Sequence, residues 1–126
     1  MIKRRFNLIL LCIAICFALG ALFDYNRIPK PRFDSLEWKN AGNQNQYSYP
    51  RLKMADELIS SRTLYGKNQE EVIELLGKPS DSGYFRSYDL VYWLGPERSW
   101  ISIDSEWLVI KLDDAGKVKE YKLERD

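Results

Sequence analysis

An apolar run from Phe6 to Phe23, introduced by Lys3, Arg4 and Arg5, is the feature that most constrains this chain. Asn7 is its only strongly polar side chain. At about 1.5 Å per residue the run spans roughly 27 Å, just short of a typical hydrocarbon core. A basic start leading straight into an apolar stretch is the layout of a secretory signal or an N-terminal membrane anchor. A signal h-region is shorter, about 7–15 residues, so a retained anchor over residues 1–23 is expected. Ala18-Leu19-Gly20 resembles a small-x-small cleavage site, and release into the periplasm after cleavage near Gly20 is the alternative. A helix buried in a soluble domain is a third reading. Arg27, Lys30 and Arg32 flank the far end, so basic residues stand on both sides of the run. The N-terminal cluster, adjacent to the run, favours a cytoplasmic start and export of the remainder.

Cys12 and Cys16 both fall inside the run, behind Leu11 and Ile15. A lipoprotein signal needs a small residue there, so both read as small apolar members of a helix. No cysteine follows Cys16, so no disulfide can staple the domain beyond it. About a hundred residues remain past Phe23, enough for one small domain. The nineteen Lys and Arg include the three before the run, leaving sixteen against eighteen Asp and Glu, a formal charge of −2. The signs are interspersed. No basic stripe points to nucleic acid, and Lys117, Lys119 and Lys122 alternate with Glu120 and Glu124 as on a solvated strand face.

Residues 24–48 read as a polar tether. Pro29 and Pro31 disfavour helix, and Asn40–Gln46 is amide-rich. Phe33, Leu36 and Trp38 are the exception, and read as incidental linker residues or as a docking segment. A first helix is predicted from Tyr49 to Arg62, capped by Ser48, with Pro50 in its first turn and Leu52, Met54, Ala55, Leu58 and Ile59 on one stripe. A second is predicted over Asn68–Leu76. Asn68 and Glu71 stand at capping-box spacing, Val72, Ile73, Leu75 and Leu76 form the apolar face, and Gly77 with Pro79 stops it. From Tyr84 the period changes to two. Tyr88–Leu94, Glu106–Leu112 and Val118–Leu123 read as strands, the last two joined by the turn Asp113-Asp114-Ala115-Gly116. A sheet with one apolar face needs a cover, which the two helices supply. The expected fold of residues 49–126 is α+β, two helices packed on a three-stranded antiparallel meander, preceded by an N-terminal membrane helix.

The stretch Leu64–Pro79, reading Leu64-Tyr65-Gly66-Lys67-Asn68-Gln69-Glu70-Glu71-Val72-Ile73-Glu74-Leu75-Leu76-Gly77-Lys78-Pro79, resembles the helix motif of the BamE (SmpA/OmlA) family of outer-membrane assembly factors. The stretch Trp107–Val118 is similar to the closing hairpin of that family. The resemblance as a whole extends over roughly Arg51–Leu123, and the repeats of β-lactamase inhibitory proteins share the same layout. The resemblance implies a non-enzymatic cell-envelope protein that binds other proteins, without naming the partner. Family members are typically lipidated, and this chain departs from them in having no lipobox.

Candidate chemistry is sparse. The chain has no histidine, which removes the commonest general base and metal ligand. Without cysteine beyond Cys16, thiol catalysis and thiolate zinc sites are excluded there. Asp104 and Glu106 form the one carboxylate pair that a glycosidase-like reading could use, but a loop acid and a strand acid without a cleft read as surface residues. Asp113 and Asp114 lack the alternating ligand pattern of a calcium loop and fit the hairpin. No cofactor, metal or small-molecule substrate is expected.

Aromatic density is the stronger signal. Tyr84, Phe85, Tyr88, Tyr92, Trp93, Trp100 and Trp107 crowd one span. A sheet covered on one side cannot bury them all against its helices, and exposed aromatics favour protein interfaces. Tyr84, Phe85, Trp93, Trp100 and Trp107 are therefore the candidate protein-binding residues, with Trp100 on the Gly95–Asp104 loop expected to be exposed. The sequence points to a non-catalytic, membrane-tethered scaffold facing the periplasm or cell exterior. An inhibitor-like module acting on an envelope enzyme is the alternative.

Overall fold

The computed structural model describes residues 11–18, 32–41 and 48–126. The chain divides into two units, Met1–Lys30 and Pro31–Asp126. In the first, residues 11–18 lie in helix α1, with Leu11, Ile13, Ile15 and Phe17 exposed. Among the described residues no helix is long and apolar enough to cross a membrane. The expected N-terminal membrane helix is thus unsupported. The rest of its run, the basic cluster at Lys3–Arg5, most of the cleavage pattern and the amide-rich residues 42–46 lie outside the described residues.

The second unit is α+β. It comprises α2 (Ser35–Ala41), α3 (Pro50–Ser60), α4 (Gln69–Leu76), β1 (Leu90–Pro96), β2 (Ser105–Leu112) and β3 (Val118–Arg125). The strands form one antiparallel sheet in the order β1-β2-β3. The predicted meander is present. Leu90, Tyr92 and Leu94 of β1, Leu108 and Ile110 of β2, and Tyr121 of β3 are buried against Leu52, Met54, Ala55, Leu58, Val72 and Leu76 of the helices.

α4 forms where the local code is strongest. The Asn68 side chain accepts from the Glu71 backbone N–H at 2.9 Å, and the Asn68 N–H donates to Glu71 Oε2 at 2.7 Å, closing the capping box. Gly77 ends the helix at φ +79. α3 begins at Pro50, and its N-cap is Tyr49 at φ 42 rather than the predicted Ser48. Proline disfavours the right-handed helical region in the residue before it. The Tyr49 ring packs edge-on to Trp93, with centroids 6.1 Å apart.

Over Ser35–Ala41 the chain forms α2 instead of an open tether, and Phe33 and Trp38 take the docking role that was the other reading of this segment. Trp38 is fully buried in the core and packs edge-on to Phe33. The helix is held from outside itself. Ser35 Oγ donates to the Leu75 carbonyl at 2.6 Å, Lys39 Nζ to the Glu74 carbonyl at 3.1 Å, and Arg51 Nε to the Trp38 carbonyl at 2.9 Å. These contacts cap the end of α4 and tie α2 to α3. Leu36, the other apolar residue of the segment, points to solvent.

The outer face of the sheet is covered too. Residues 80–89 cross it and set Phe85 against Trp107 with centroids 6.0 Å apart, while Tyr84 stands 6.4 Å from the same ring. Tyr88 continues the layer, with Lys111 and Lys122 ammonium groups near its ring. Trp107 and Val109 are buried beneath.

Candidate functional site

The loop between β1 and β2 emerges from a β-bulge. Trp93 opposes Trp107 and Gly95 opposes Glu106, so Leu94 is the extra residue on β1. Gly95 adopts φ +149, and a Cβ built there would lie 2.9 Å from Tyr49 Cδ1. A side chain is excluded by conformation and by space together. The Glu97 N–H then donates to the Asp104 carbonyl at 2.9 Å and closes the loop at its base.

A charged clamp fixes that base. Glu106 is 3% exposed, and it extends the inward-facing series Leu108 and Ile110 to the end of β2. Its carboxylate accepts from the Arg98 N–H at 2.8 Å, and from Nε and Nη2 of the same arginine at 3.1 Å and 2.9 Å on Oε2. Arg98 also donates from Nη1 to Asp56 Oδ2 of α3 at 2.8 Å. Arg125 of β3 pairs with Glu97 at 2.7 Å. Burial alone pushes the Glu106 carboxyl up, but the hydrogen bonds and charge of Arg98 outweigh it and hold the group below the ordinary glutamate range. The acid in the candidate pair is thus fully engaged in holding the loop. Asp104 is exposed at the other end of the closure.

Beyond the clamp the chain presents apolar side chains to water. Trp100 is 99% exposed and Ile103 82% exposed, with Ile101 also exposed between them. Ser99 Oγ donates to the Ile101 carbonyl at 2.8 Å and shapes the tip. The sequence singled out Trp100 and its Gly95–Asp104 loop without naming the two isoleucines. Their signal was visible as alternation without a strand, with Ser102 between Ile101 and Ile103 and Asp104 after them.

The remaining candidates divide by depth. Tyr84 is 60% exposed and Trp93 40% exposed, and both lie outside the core. Trp93 is fixed by its neighbours. Its N–H donates to Ser80 Oγ at 2.9 Å, and its carbonyl accepts from Arg51 at 3.4 Å. Phe85 is half-buried and takes φ 57, a conformation uncommon for a bulky residue. Trp107 is buried and its indole N–H donates to Asp126 Oδ2 at 3.1 Å. It supports Tyr84 and Phe85 from below.

Asp113 behaves as a turn residue. Its Oδ1 accepts from the Ala115 and Lys117 N–H groups, each at 2.9 Å, and Gly116 completes the turn at φ +73. Among the described residues no three histidine, cysteine or acidic side chains are gathered to hold a metal ion.

No family model matches this chain, and no curated protein or solved structure matches it.

Proposed function

We propose that this chain is a non-catalytic scaffold of the bacterial cell envelope, tethered to a membrane by its N-terminal apolar run and docking a partner protein outside the cytoplasm. The observation that carries the reading is the set of large apolar side chains held in water by a rigid frame. Tyr84 rests on buried Trp107, and Trp93 is pinned by Ser80, Arg51 and Tyr49. Aromatic side chains lose little conformational entropy on binding, least of all when already fixed. The only inward-facing acid of the sheet is engaged by Arg98, which favours a supporting role for it over proton transfer. The resemblance of Leu64–Pro79 and Trp107–Val118 to the BamE family agrees with this reading, as does the exposed apolar surface of residues 11–18.

Photocrosslinking residues placed at Tyr84 and Trp93 in the full chain test it. The expected result is one discrete adduct with the same envelope protein from both positions. Trp93→Ala with Tyr84→Ala should remove its recovery while leaving the circular dichroism unchanged. Undiminished recovery from the double variant rejects this surface.

A further inference from the structure

We propose that the Trp100–Ile103 tip inserts into the interfacial layer of a lipid bilayer and so sets the orientation of the domain at the membrane. The inference rests on the membrane-tethered reading and deepens it. It assigns the tip to lipid and leaves Tyr84 and Trp93 to the protein partner.

Three observations favour a bilayer as the occupant. First, the tip is convex. Trp100, Ile101 and Ile103 project from a closed loop, with Trp100 almost wholly exposed. A projecting cluster of this kind needs a groove or a fluid medium to receive it. Second, indole suits the boundary itself, since its ring is apolar and its N–H can still meet water or headgroups. Third, the same chain exposes a second apolar surface at Leu11, Ile13, Ile15 and Phe17. One surrounding medium satisfies both. Three side chains are a small contact for a free domain. A tether raises the local concentration of bilayer enough for a weak contact to persist.

The charges near the tip predict how the lipid is chosen. Glu97, Arg98 and Arg125 are engaged with Arg125, Asp56, Glu106 and Glu97, and Asp104 is an exposed acid. Among the described residues, the two arginines at the loop base are both paired with carboxylates and offer no cationic collar to an anionic headgroup. Insertion should therefore be equal on zwitterionic and on anionic lipid, and little affected by salt.

The test uses the full chain reconstituted with phosphatidylcholine vesicles, with and without phosphatidylglycerol. Flotation reports attachment. Quenching of tryptophan emission by lipids brominated near the headgroup reports insertion, and subtracting the Trp100→Phe variant isolates Trp100 from the other three tryptophans. The expected result is flotation, with the Trp100 emission quenched roughly twofold, as for an interfacial indole, on both lipid mixtures. An Ile103→Ser variant, which retains Trp100, should weaken the quenching. Flotation without quenching, with Trp100 still open to acrylamide, overturns insertion and leaves the tether reading standing. Shielding of Trp100 only on addition of an envelope enzyme has the same meaning and would place the tip in a protein cleft. Quenching confined to vesicles with phosphatidylglycerol overturns the interfacial mode in favour of headgroup recognition. Loss of flotation overturns both readings.

Discussion

Glu106 is a charge at the inward-facing end of a strand, and its stability contribution depends on one arginine eight residues earlier. A carboxyl held below its unfolded value stabilises the fold above the unfolded pKa. That stability is lost as pH falls through the folded value. The melting temperature should therefore fall as pH drops below about 4.3, the ordinary glutamate value. In Glu106→Gln this part of the profile should flatten. Thermal melts from pH 7 to pH 2 check both. Arg98→Ala strands the buried carboxylate and should cost about 2–3 kcal/mol at neutral pH. Asp56→Asn, at the exposed end of the clamp, should cost under about 1 kcal/mol. Gly95 is the second decisive residue. Gly95→Ala meets the Tyr49 ring at φ +149 and should cost about 1–3 kcal/mol. Placing it in a Tyr49→Gly background should recover part of that cost, and a double-mutant cycle by urea denaturation measures the coupling. The sequence read Glu106 as a surface acid, whereas β2 turns it inward in phase with Leu108 and Ile110, where a buried carboxylate needs a cationic partner. The sequence did not show which arginine answers, because the bulge at Leu94 sets the loop geometry that brings Arg98 back.

Elements were legible in proportion to how locally they are encoded. α4 has its cap, its apolar stripe and its stop within ten residues, and Asn68, Glu71, Val72, Leu76 and Gly77 take the roles their spacing predicts. The sheet was legible through period-two alternation and the Asp113–Gly116 turn. The C-terminal end of β3 was not. The strand runs on to Arg125, where pairing with Glu106 and the Glu97 ion pair reward extension. α2 was missed for the opposite reason. Its sequence offers one inward aromatic among polar residues, and its stability comes from Leu75, Glu74 and Arg51 elsewhere in the chain. A short helix persists only through such packing. Trp38→Ala should consequently cost about 3–5 kcal/mol, as for a fully buried aromatic. At about 4–8 °C per kcal/mol for a domain of this size, the change in melting temperature is large enough to read directly by calorimetry. Trp38→Phe should cost clearly less. It keeps the ring contact with Phe33 and removes an indole N–H that has no hydrogen-bond partner among the described residues.

At the scale of the whole molecule, the proposed tether makes the side of the membrane that the domain would face a matter of the charges flanking Phe6–Phe23. Lys3, Arg4 and Arg5 stand on one side of Phe6–Phe23, with Arg27, Lys30 and Arg32 on the other, so the difference between flanks is smaller than in a simple anchor. The N-terminal cluster lies immediately beside the run, whereas the first downstream cation is four residues beyond it. That proximity favours a cytoplasmic start. A periplasm-active reporter fused after Asp126 should accordingly be active, and a cytoplasm-active reporter at the same place silent. Replacing Lys3, Arg4 and Arg5 by glutamate leaves Arg27, Lys30 and Arg32 as the dominant cations and should reverse or scramble the pair of signals. If the unaltered chain lights the cytoplasmic reporter instead, the aromatic surface and the tip face the cytoplasm and the envelope partner is lost as a candidate. Insertion of Trp100 into a bilayer would still be open to measurement in that orientation, because the tip depends on the Arg98 clamp and the Leu94 bulge and on nothing that export supplies.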